Sequence, residues 1–287
     1  MGYSNTYIYP EQWAVKLQER LSEPTIWKEI CNVEITNDRV LHNPYLTDPS
    51  VQGLSRGTAY TFQPVTETDE SVTVNSTITS PLFIDRADLA QSTYSSMMTL
   101  ADAQGVVLDE ELGKQVFAAH GDLTNFGAGD LAGSSSADTT AFTVSDTNVD
   151  NVIRAIKRTI RVAKGESLAN RNGIFIVWRP ADLEILEGFM QANGYVQADS
   201  ALRQGVSGFG FDYMGVTHYS SNLLTAGHVI AGVKKVLHLG IVRGTYGQIV
   251  KTDDPGLVSG IGVVSRIDYK VKAWTKTVVV LFDVNVS

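Results

Sequence analysis

The chain has 287 residues, of which 43% are apolar and 19% charged, an ordinary globular composition with ample material for one large domain or two intimate ones. A formal net charge of −8 excludes a surface that binds nucleic acid broadly, so any such contact has to be local. Cys31 is the single cysteine, which excludes an intrachain disulfide and a cysteine-based zinc site and fits a reducing cytoplasm.

The opening MGYSNTYIYPEQW lacks the basic start and apolar run of a signal peptide. Its fit to a myristoylation pattern, through Gly2 and Thr6, is of a kind that arises by chance. No stretch approaches about eighteen uninterrupted apolar residues, so no membrane span is expected. Pro10 suits the first turn of a helix, Trp13, Leu17 and Leu21 give it a narrow apolar stripe, and Pro24 ends it. Residues 26–54 hold no period. The whole of residues 1–54 therefore reads as an arm lying against something larger. In residues 55–83, Thr58, Tyr60 and Phe62 alternate with Ala59, Thr61 and Gln63, and Val72 and Val74 alternate before Ile78. This predicts a long two-stranded hairpin around residues 66–71. Its polar faces cannot hold a core, so it has to rest on a neighbour.

Residues 85–121 read as one long helix, or two in line, with room for about ten turns. Asp85 and Asp88 suit its start, and Gly105 and Gly113 are its weak points. Asp109 could restart it after Gln104 and Gly105. Residues 122–147, rich in Gly, Ser, Ala, Asp and Thr, read as linker. From Asn148, the residues Val149, Val152, Ile153, Ile156, Ile160 and Ala163 follow helical spacing on one face. Arg154, Lys157, Arg158, Arg161 and Lys164 form a basic stripe beside it, either a contact for an acidic partner or a solvated face paired with nearby carboxylates. IFIVW at residues 174–178 reads as a strand buried on both faces, and Pro180 opens a helix that Asn193-Gly194 stops. A glycine-rich loop at residues 205–215 leads into strands at 216–219, 229–233 and 236–242. Strand and turn follow from Gln248 to the end, with a turn at residues 253–256. The helix–strand–helix order indicates an α/β layer beside long strands.

Motifs for catalysis are missing. His42, His120, His218, His228 and His238 make no HExxH and read as core-edge or interface residues, so no metal site is expected. The serines at Gly133-Ser134-Ser135-Ser136 and Gly205-Val206-Ser207-Gly208 lack the GxSxG spacing, and no phosphate-binding GxxxxGK[ST] occurs. Gly260-Ile261-Gly262 is a degenerate GxGxxG inside a strand region. No catalytic residue and no cofactor site is expected.

The passages WRPADLEIL (from Trp178), Phe189, Gly194-Tyr195, Ala198-Asp199 and GFGFDYMGVTHYSSNLL, ending on Gly215-Val216, Ser220 and Leu223, resemble tailed-phage major capsid proteins. So does the order of parts. The resemblance implies an α+β fold of the Hong Kong 97 type, with an N-arm at residues 1–54 and an extended hairpin loop at 55–83. A spine helix and linker of the peripheral domain would occupy 84–147, an axial domain 148–233, and axial-to-peripheral strands 234–287. It implies a non-enzymatic coat subunit that assembles with itself into hexamers and pentamers around double-stranded DNA, which it touches only weakly. A scaffolding protein, a portal and a cement protein would be further partners, with assembly in the host cytoplasm and no membrane. Trp13, Arg56, Tyr60, Phe62, Val72 and Val74 become subunit-interface candidates, and the basic stripe a contact for scaffold, subunit or DNA.

Some family members crosslink subunits through a lysine on the extended loop. Residues 55–83 contain none, so noncovalent shells are expected. No charged helical segment precedes the arm, so no fused scaffolding domain is expected in this sequence: either a separate scaffolding protein serves or such a segment has been removed. Removal of residues 58–79 should leave a soluble subunit that closes no shells, and Gln104-Gly105 offers a place for the spine to bend as a shell expands. An encapsulin compartment of the same fold is the nearest alternative, and an α/β enzyme with an unrecognised site a more distant one.

Overall fold

The computed structural model describes residues 22–85, 96–133, 137–193, 210–242, 248–252 and 260–287. The predicted helix with Trp13, Leu17 and Leu21 lies outside them. So do residues 86–95, Ser134–136, Gly194, Tyr195, Ala198, Asp199 and the turn at 253–256.

Two sheets organise these residues. The first strands in chain order are β1 (Cys31–Thr36), β2 (Val40–His42), β3 (Tyr45–Leu46), β4 (Glu67–Thr68), β5 (Ser71–Thr73), β6 (Ser76–Asp85) and β7 (Thr124–Phe126). They are followed by β8 (Ile174–Trp178), β9 (Phe211–Tyr213), β10 (Val216–Ser220) and β11 (His228–Val233). The last are β12 (Leu237–Val242), β13 (Gln248–Thr252), β14 (Gly260–Lys272) and β15 (Leu281–Asn285). A mixed six-stranded sheet runs β7-β15-β11-β8-β10-β9. At its centre Phe175, Ile176, Val177 and Trp178 are wholly buried, as a strand covered on both faces requires. The helix Val149–Val162 lays Val149, Val152, Ile153, Ala155, Ile156 and Ile160 into the same core. The helix Pro180–Ala192 starts on its proline, as expected, and adds Leu186 and Met190.

The predicted linker is part of this sheet. It supplies β7, the short helix Ala128–Ala132 and a bridge from Phe142 to Val286, and it buries Phe126, Phe142 and Val144. Its small residues permit the packing: a Cβ on Gly127 would sit 2.6 Å from the Thr140 carbonyl. The buried Asp130 carboxylate accepts the backbone N–H of Asp138 at 2.8 Å, closing the loop on itself. β15 also departs from expectation. It does not run outward with its neighbours but returns to the six-stranded sheet between β7 and β11, where Leu281, Phe282 and Val284 are buried.

The second sheet runs β1-β12-β14-β13, with β6 also on β14. The thirteen residues of β14 span about 40 Å at strand rise. One edge carries β6 from Ser76 opposite Tyr269 to Asp85 opposite Gly260; the other carries β13 and then β12. Asp85 is the last residue of β6, and the long helix is described over Ser96–Ala118, the ten residues between lying outside the described ones. That helix runs unbroken through Gly105 and Asp109, so there is no second start. Gly113 is a seat more than a weak point: a Cβ there would lie 3.2 Å from the ring of the buried Trp27, which packs on this helix.

The hairpin is real but shifted toward the N-terminus. Its ladder pairs β2 with β5 and β3 with β4, so residues read as the end of the arm form its first strand. The alternating run at Thr58–Gln63 lies in the irregular tip at residues 47–66, where no partner strand faces it.

Candidate assembly surface

The hairpin divides into an anchored root and an apolar tip. At the root, Leu41 and Val72 pack on Trp274 in a small cluster of their own. Glu70 accepts hydrogen bonds from the Thr275 backbone N–H at 3.1 Å and from its hydroxyl at 3.0 Å. Lys276 reaches across to Asp48. Beyond the ladder, glutamine side chains replace strand pairing: the Gln63 Oε1 accepts the Ser50 N–H at 3.1 Å, and the Gln52 Oε1 accepts the Thr61 N–H at 3.3 Å. Gly57, at φ +93°, turns the tip beside Arg56.

The tip leaves its apolar side chains in solvent. Val51 is 98% exposed, Phe62 92%, Tyr60 76% and Val65 75%. Burial of one such side chain is worth about 1.5–3 kcal/mol, so four of them on one tip are a sizeable unspent driving force for contact. Of the interface candidates, Arg56, Tyr60 and Phe62 lie on this surface. Val72 and Val74 do not. Both are buried within their own chain, Val72 in the root cluster, because the strand alternation that singled them out turns them inward. Trp13 lies outside the described residues.

The basic stripe is largely engaged within the chain. Arg154 pairs with Asp150 at 2.7 Å and Arg161 with Glu166 at 3.5 Å. Lys157 and Arg158 donate instead to the carbonyls of Met214 and Asp130. Lys164 follows the helix in a left-handed turn at φ +60°. Exposed ion pairs of this kind are worth at most about 1 kcal/mol and leave Arg154 and Arg161 able to exchange partners.

Burial favours the neutral forms of Cys31 and His218. Burial pushes the Cys31 thiol up to about 12, with Lys235 opposing weakly. Burial likewise pushes His218 down to about 4. Trp178 Nε1 donates to His218 Nδ1 at 2.9 Å, which leaves Nε2 as the protonated nitrogen, 3.3 Å from the Tyr213 carbonyl. That is the bonding of a core histidine. His238, pushed down by burial, lies 3.3 Å from Glu34. His42 meets Asp69 at 2.8 Å in the hairpin.

One cluster escaped the sequence reading. His120, His228 and Asp283, far apart in the chain, converge with both imidazoles on one carboxylate. No spacing motif marks them, because the chain crossing between two strands and a helix end brings them together.

No family model matches this sequence, and no curated protein matches it. Solved structures do. A chain from Mycobacterium phage Che8 superposes with a TM-score of 0.73 at 13% identity, covering 98% of each chain. The capsid of a native GTA particle gives 0.66 at 10% identity over 97% of this chain and 95% of the other. The mature capsid of bacteriophage PhiM1 gives 0.63 at 13% identity over 98% and 92%. The chain thus has the α+β capsid fold of the Hong Kong 97 type along almost its entire length.

Proposed function

We propose that this chain is the major capsid protein of a tailed phage, a structural subunit that assembles with itself into a closed icosahedral shell around double-stranded DNA. The observation that carries the reading is the hairpin tip, with Val51, Tyr60, Phe62 and Val65 in solvent on a chain whose fold matches that of phage capsids over almost its whole length. A free subunit gains nothing from such a tip, whereas a neighbour in a shell would cover it. Weak contacts repeated around a closed shell then give a stable container.

Within that reading, the six-stranded sheet with its helices serves as the axial domain, clustering around fivefold and sixfold axes. The sheet built on β14, with the long helix, serves as the peripheral domain. The hairpin is the intersubunit loop. Hexamers and pentamers are the assembly units, and the protein resides in the virion after assembly in the host cytoplasm. A net charge of −8 suits a lining that holds packaged DNA weakly. A portal and a scaffolding protein complete the partner set, with Arg154, Arg161 and Lys164 among the exposed cations for an acidic scaffold. A cement protein would add to noncovalent shells, since the chain carries no lysine between Lys28 and Lys114 to crosslink the loop. The role is structural, not catalytic: Cys31 is buried, and His42, His120, His218 and His228 are taken up by a carboxylate, Trp178 or a carbonyl. No observation specifically favours an encapsulin compartment.

Sedimentation and negative-stain microscopy of the purified chain test the proposal. Capsomers or uniform closed shells are the expected result. A protein that stays monomeric or dimeric at high concentration and with scaffold present would overturn it.

A further inference from the structure

We propose that His120, His228 and Asp283 form a binding site for a divalent transition cation of the zinc class. His120 sits in the 3-10 turn Ala119–Asp122 that closes the long helix, His228 is the first residue of β11, and Asp283 lies in the middle of β15. β11 and β15 are antiparallel, with His228 opposite Asn285 and Ile230 opposite Asp283. His228 and Asp283 are therefore diagonal neighbours on one face of the sheet, and the helix end brings His120 down onto them.

The geometry is that of ligands gathered about a point. His120 Nδ1 lies 3.0 Å from Asp283 Oδ2. His228 Nδ1 lies 2.9 Å from Oδ1 and 3.0 Å from Oδ2. The candidate ligand atoms all fall within 4.8 Å of one another. Bonds of about 2.0–2.2 Å in a tetrahedral site separate neighbouring ligand atoms by about 3.3 Å, so an ion enters with small displacements of the backbone. The rings stack at 3.7 Å between centroids with 27° between planes, and they have to swing apart to aim both lone pairs at the ion. Two imidazoles with one carboxylate suit zinc, cobalt, nickel or copper, whereas magnesium and calcium prefer all-oxygen shells.

Burial supports the assignment. The Asp283 side chain is 3% exposed, and a carboxylate so enclosed requires a cation or strong donors beside it. The imidazoles are 21% and 26% exposed, which leaves one side open for water as a fourth ligand. A bound ion would fasten the end of the long helix to the central sheet, joining the two layers of the subunit. The site does not depend on the shell assignment.

Titration of the full-length chain, stripped with chelator, with Zn2+ or Co2+ alone tests the site. The expected result is one ion per chain, visible d–d absorption of four-coordinate Co2+, no effect of Mg2+, and a Tm raised by about 5–10 °C at saturating Zn2+. His120→Gln and His228→Gln replace only partly buried side chains and should keep their circular dichroism while losing tenfold or more in affinity. The proposal is overturned if the wild type binds no stoichiometric ion, so that the imidazoles simply donate N–H to Asp283. It is equally overturned if both folded variants bind as the wild type does.

Discussion

Gln104, midway along the long helix, accepts a hydrogen bond from the Ser265 hydroxyl of β14 at 2.8 Å. Its amide nitrogen donates to the Ser80 carbonyl of β6 at 2.8 Å, and the side chain is wholly buried. One polar residue thus spans the junction between the helix and the two strands that pair beneath it. Gln104→Ala should cost about 1–3 kcal/mol, because the Ser265 hydroxyl and the Ser80 carbonyl lose a buried partner. The denaturant midpoint of the unassembled subunit measures this, and an unchanged midpoint would show that the junction is held by other contacts.

Gly105 behaves oppositely. It is helical and exposed, and a Cβ there would meet nothing within 4 Å. Gly105→Ala should therefore stabilise the subunit by about 0.5–1 kcal/mol. If the helix bends at this point as a shell matures, the same variant should also slow that transition, read as the rate of shell expansion.

The hairpin tip should matter for assembly and not for folding. Tyr60→Ser with Phe62→Asp changes two side chains that touch little of their own chain. The subunit's Tm should stay within about 2 °C of the wild type while shell yield falls at least tenfold. Removal of residues 58–79 is a poorer test than the sequence suggests. It would also delete Ser76–Thr79 of β6, which pair with Tyr269–Arg266 of β14. Shells formed by the double variant at normal yield would remove the tip from the interface.

His218 sets an acid dependence of known sign. Its folded value of about 4 lies below the ordinary 6.5, so the unfolded chain takes up the proton first. Stability is at its full value above about pH 6.5 and falls as pH drops toward 4, by about 3 kcal/mol from this one group. His218→Gln, which keeps an acceptor for Trp178, should flatten that part of the pH–stability curve. An identical slope in wild type and variant would assign the acid loss to other groups.

A denaturing gel of assembled particles should show a single monomer band. A covalent ladder would contradict the noncovalent shell expected from a loop without lysine.

The sequence was clearest where a side-chain period reports a buried face. IFIVW at residues 174–178 and the stripe from Val149 to Ile160 were legible because their own residue pattern marks the faces that are buried. The hairpin register was not. Thr58–Gln63 alternates like a strand, yet glutamine side chains hold it, and the true partner of Ser71–Thr73 is Val40–His42. That Asp85 also belongs to a strand was not legible, because its partner, Gly260, lies far along the chain. The histidine cluster had no local signal at all, since it exists only once β11, β15 and the end of the long helix meet.

An electron cryomicroscopy map of the assembled particle tests the central claim most directly. Tyr60 and Phe62 are expected to lie buried against the neighbouring subunit, beyond the boundary of their own fold. A closed particle with both rings in solvent, or a preparation with no particles at all, would contradict it.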